Sequence, residues 1–105
     1  MSDLKDMQAQ AEKVRQLYAD FNATNGQDVW GSKEYAMGFV GDVGDLLKLI
    51  MAKENLRSGD DIDTKLAHEL SDCLWSILVL FDHYGIDIAS EFKKNMTELE
   101  QRITA

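Results

Sequence analysis

The chain has 105 residues, 45% of them hydrophobic and none proline, which suits one domain built around one core. Its formal charge of −8, from 19 acidic against 11 basic residues, argues against a grip on nucleic-acid phosphates, since no basic patch stands out. One cysteine allows no intramolecular disulfide, the start MSDLKDMQAQ lacks a signal-like apolar run, and the longest apolar run, CLWSILVLF, is far short of a membrane span.

Four helices are predicted in chain order, as a single domain over residues 1–105. The first runs from about Ser2, its expected N-cap, to Asn22, with Leu4, Met7, Ala11, Val14, Tyr18 and Phe21 stepping by three and four along one apolar stripe. NATNGQDVWG, residues 22–31, reads as a turn-rich connection. Ser32 is the expected cap of a second helix reaching about Asn55, with Tyr35, Phe39, Val43, Leu46, Leu47 and Ile50 apolar. RSGDDID, residues 57–63, reads as a polar loop. The third helix, near Thr64 to Tyr84, is apolar nearly all round from Cys73 to Phe81 and should be central. Gly85 stops it. Asp87 caps a fourth, with Ile88, Phe92, Met96, Leu99 and Ile103 expected inward. No segment alternates with period two, so the fold class is all-α, a compact four-helix bundle. A central helix apolar on all sides also predicts self-association.

Two features of this pattern ask for chemistry. The second helix contains GFVGDVGDLLKLI, residues 38–50, in which three glycines cost on the order of 3 kcal/mol of helix propensity relative to alanine. Asp42 and Asp45 stand three apart within it, and in HELSDCLW on the third helix Glu69 and Asp72 do the same, so each pair shares a helix face. An antiparallel hairpin could bring the four acids together. Their repulsion would then push them toward protonation unless cations neutralised them. Hard oxygen ligands suit Mg²⁺, with Mn²⁺ as an alternative. Glycine at positions 38, 41 and 44 would let a neighbouring helix or a bulky ligand approach the backbone. His68 and His83 read as surface or helix-end residues, and Cys73 as core.

G-D-V-G-D followed about two dozen residues later by E-L-S-D resembles the MazG-like all-α nucleoside triphosphate pyrophosphohydrolases, over roughly residues 30–103. The resemblance implies that Asp42, Asp45, Glu69 and Asp72 bind Mg²⁺ and are the catalytic residues, and that a nucleoside triphosphate is cleaved to the monophosphate and pyrophosphate. GDVGDLLKLIMAKE is similar to the corresponding helix of the dCTP pyrophosphatase branch. The chain departs from the pattern in carrying aspartate at both acids of the first motif. Ser76 stands where relatives often carry tyrosine, and Asn95 and Leu99 where they often carry lysine and asparagine.

Trp30 is a candidate for stacking on the base, and Lys53 and Asn95 for contacts to the substrate. The expectation is a cytoplasmic homodimer or homotetramer with neither a nucleic-acid nor a membrane partner. Two alternatives remain: a non-catalytic helical interaction module with a structural or vestigial metal site, and a related enzyme acting on phosphoribosyl-ATP.

Overall fold

A computed structural model describes residues 3–55 and 60–104. Four helices account for nearly all of them: α1 (Leu4–Thr24), α2 (Ser32–Glu54), α3 (Asp60–His83) and α4 (Ile88–Thr104), with no strand among the described residues. The fold class is therefore all-α. Among the described residues no single helix is long and apolar enough to cross a membrane.

The caps explain where the helices begin. Asp3, not Ser2, caps α1: its Oδ1 accepts a hydrogen bond from the Asp6 N–H at 2.9 Å, while Ser2 lies outside the described residues. Ser32 is the first residue of α2 rather than its cap. That position falls to Gly31, whose N–H donates to Glu34 Oε1 at 3.1 Å. Asp87 caps α4 as expected, its Oδ2 accepting from the Ser90 N–H at 3.2 Å. α3 begins at Asp60, earlier than predicted, so the acid-rich end of RSGDDID is helical and the rest, residues 56–59, lies outside the described residues. Acids favour a helix's first turn because they meet its positive dipole end.

α3 is the central helix, packed against both α2 and α1. Its inner positions Cys73, Ser76, Leu78 and Val79 are buried, with Val79 only 1% exposed. Ala11, Leu78 and Ile88 form the core where α1, α3 and the first turn of α4 meet, with Leu4, Trp75 and Phe81 against it. The Trp75 indole N–H donates to the Ala11 carbonyl at 3.0 Å, tying α3 to α1.

α4 follows another course. After His83 the chain makes a Schellman turn: the Gly85 N–H donates to the Asp82 carbonyl and the Ile86 N–H to the Phe81 carbonyl, at 3.1 and 3.0 Å. Gly85 sits at φ +65°, a conformation that side chains resist. α4 then leaves α3 with a bend of 107°. Only Ile88 is buried, and the row expected to face inward is exposed, Phe92 by 61% and Ile103 by 81%. The radius of gyration, 16.7 Å, exceeds the roughly 13 Å of a closed domain of this length, as an outlying helix requires.

Gly85→Ala should therefore cost about 1 kcal/mol of unfolding free energy, measured by urea denaturation, because alanine must adopt the left-handed conformation. An unchanged denaturation midpoint would mean that the turn does not hold this geometry.

Candidate functional site

The packing of α2 on α3 decides which acids meet. On α2 the covered face carries Tyr35, Phe39, Asp42, Leu46 and Leu49, and on α3 it carries Glu69, Asp72, Cys73 and Ser76. Asp42, Glu69 and Asp72 each offer a carboxylate oxygen, and those atoms all lie within 4.8 Å of one another. All three side chains are half-buried, and Glu69 Oε2 is covered with no hydrogen-bond partner. An orphaned buried acceptor calls for a partner that the protein itself does not provide. Asp45 is exposed and stands outside this trio, one turn further along α2.

The electrostatics follow from the crowding. Burial, then the charges of Asp72 and Asp45, raise the Asp42 pKa from its ordinary value. Glu69 is raised by burial first and then by Asp42, Asp72 and Asp45. Burial and the same trio push the Cys73 thiol up as well, so it stays protonated and inert, as a core cysteine should. His68 partly offsets the repulsion at Asp42 and Glu69. It lies with Nε2 at 3.3 Å from Asp72 Oδ2, one helical turn away. Its exposure was expected, but its contact with the acids was not. The i, i+4 spacing of His68 and Asp72 was the available signal.

Beside the acids opens a pocket of about 720 Å³, to which Asp42 and Asp72 contribute walls. Its volume lies within the range of small-molecule sites. Tyr18, Trp30, Tyr35 and Trp75 give it aromatic sides, with ring centroids 5.5 Å apart for Trp30–Tyr35, 5.6 Å for Tyr35–Trp75 and 6.0 Å for Tyr18–Trp75. Asn22, Gln27 and Asp28, from the end of α1 and the connection after it, add polar groups. The tight turn there uses Gly26 at φ +68°. Gly38 has a local purpose: a Cβ at that position would sit 3.4 Å from the Trp30 ring.

Trp30 thus joins the acids at one site, and two other candidates do not. Lys53 stands three turns further along α2, where its Nζ pairs with Asp63 Oδ1 at 2.5 Å. Asn95 lines a separate groove of about 280 Å³ with Phe81, Phe92 and Lys94, because α4 points elsewhere. Tyr18, Tyr35 and Trp75 read from the sequence as packing residues. Asn22, Gln27 and Asp28 read as part of a loop, and nothing in their spacing marks them as pocket walls.

Chemically, three hard oxygen donors with an unsatisfied Glu69 oxygen fit a small divalent cation such as Mg²⁺, which commonly takes few protein carboxylates and fills the rest with water or phosphate oxygens. No known protein family, curated protein or solved structure matches this chain.

A raised carboxylate pKa has a definite sign. The folded state holds protons more tightly than the unfolded one, so this part of the stability falls as pH rises from the ordinary carboxylate range through the folded pKa. At pH 7 without divalent ions, Asp42→Asn should raise the melting temperature by about 1–3 °C, as expected from relief of a few tenths of a kcal/mol of like-charge repulsion. Mg²⁺ should stabilise the wild type and leave Asp42→Asn nearly unmoved. Thermal unfolding by circular dichroism reads both, and equal Mg²⁺ shifts in the two proteins would contradict the site.

Proposed function

We propose that this chain is a Mg²⁺-dependent nucleoside triphosphate pyrophosphohydrolase, as its likeness to the MazG-like motifs implies. The observation that carries this reading is the juxtaposition of three carboxylates within 4.8 Å with an aromatic-walled pocket. One side suits a cation and phosphates, the other a planar base.

Asp42, Glu69 and Asp72 would hold the ion, and Asp45, at the exposed edge, would reach it through water. When bound there, Mg²⁺ would supply positive charge to the triphosphate and acidify a water, the usual role of such an ion in hydrolysis of a phosphoanhydride. Without a cation a chain of charge −8 would repel such a substrate. The residues themselves orient and exclude. Trp30, exposed by 46% at the pocket wall, offers its face to the base, and Tyr35 and Trp75 behind it hold the wall in place. A trio carboxylate oxygen not engaged with the ion would accept the proton of the attacking water. Partly buried Trp75 and buried Ser76 line the pocket together with Asp72.

A panel of ribo- and deoxyribonucleoside triphosphates should yield pyrophosphate and monophosphate from at least one member, only with Mg²⁺ or Mn²⁺. Glu69→Gln should lower that rate by about 100-fold or more while keeping the helical circular dichroism spectrum. Trp30→Ala should raise KM by about tenfold with kcat little changed, the effect of losing one base-stacking contact. No pyrophosphate from any member would favour the helical interaction module instead.

A further inference from the structure

α2 has two apolar faces, and the protomer covers only one. Opposite Tyr35, Asp42 and Leu46 runs a second stripe formed by Met37, Val40, Gly44, Leu47 and Met51, which a helical period places within one narrow sector. Its side chains are 64%, 70%, 56% and 56% exposed at Met37, Val40, Leu47 and Met51. A Cβ at Gly41 or Gly44 would meet nothing within 4 Å, so the two glycines that Trp30 does not explain open onto this stripe and its edge.

We infer that a second copy of this chain covers the stripe, its α2 lying antiparallel across the first about a two-fold axis at Gly44. Three observations select that occupant. An isologous contact needs a patch complementary to itself, and the stripe is nearly symmetric about Gly44: Met37 and Met51 lie seven positions to either side, Val40 four before and Leu47 three after. The absent side chains at the centre permit close helix approach at the axis. Beyond the methionines, Lys33 stands eleven positions before Gly44 and Glu54 ten after, so pairing sets each copy's lysine beside the other's glutamate.

The area agrees. With Val43 and Ile50 at its edge, the stripe exposes on the order of 600 Å² per copy, most of the roughly 800 Å² per partner of a standard stable interface. Asp42 lies on the opposite face of α2, so the contact leaves the acid trio and its pocket open. The inference is independent of the proposed activity.

The test uses the full-length chain. Sedimentation equilibrium should give a dimer mass for the wild type, and Val40→Asp and Leu47→Asp should be monomeric with unchanged helical content, since both side chains are exposed in the protomer. Register is read by cross-linking in a Cys73→Ser background. Under mild oxidation Met37→Cys chains mixed with Met51→Cys chains should form a disulfide-linked dimer, and neither variant alone should do so efficiently. A wild type that stays monomeric at millimolar concentration overturns the inference. So does self-linking of Met37→Cys, or a dimer that survives both aspartate variants and dissociates with Phe92→Asp, which would put the contact on α4.

Discussion

Like charges held together at a helix contact are the constraint on which the rest of this structure depends. Apolar burial sets the register of α2 on α3: Tyr35, Leu46 and Leu49 lie on the covered face of one helix, and Cys73 and Ser76 on the covered face of the other. That register leaves Asp42 nowhere to go except beside Glu69 and Asp72. The hydrophobic contact therefore pins an unfavourable electrostatic one, and the strain shows as raised carboxylate pKa values and a covered oxygen on Glu69 without a donor. A bound cation would turn the same geometry from repulsive to cohesive, and the proposed site would then couple ligand binding to folding stability through three side chains.

The aromatic pocket extends this logic. Tyr35 and Trp75 belong to the packing that fixes the register, yet their rings also form the pocket wall next to the acids. The tryptophan's hydrogen bond to Ala11 carries the wall onto α1, and Gly38 leaves room for Trp30 to lie against α2. The outer face of α2 has no such duty inside the protomer, and its bare methionines and open glycines are what the proposed contact between copies would cover.

Much of this was legible in the sequence, and the limits are physical. Helical periodicity located all four helices, and the i, i+3 acids marked both faces that meet. Periodicity shows which face is apolar but not what covers it. For that reason Phe92, Leu99 and Ile103 read as inward although α4 departs at the Schellman turn. Asp42 and Asp45 looked equivalent, and the rotation of α2 against α3 separates them. Lys53 was plausible until Asp63 was seen to engage it, a pairing between the end of one helix and the first turn of the next that spacing alone does not reveal. Asn22, Gln27 and Asp28 carry no periodic signal, and only the path of the connection after α1 brings them to the pocket.

The most direct measurement is a crystal structure of the protein soaked with Mn²⁺, with anomalous scattering used to locate the ion. A peak should appear between α2 and α3, with oxygens of Asp42, Glu69 and Asp72 at about 2 Å, the bonding distance of small hard divalent ions. A metal peak at other acids, or none between these three at saturating Mn²⁺, would show that the carboxylates meet for packing alone.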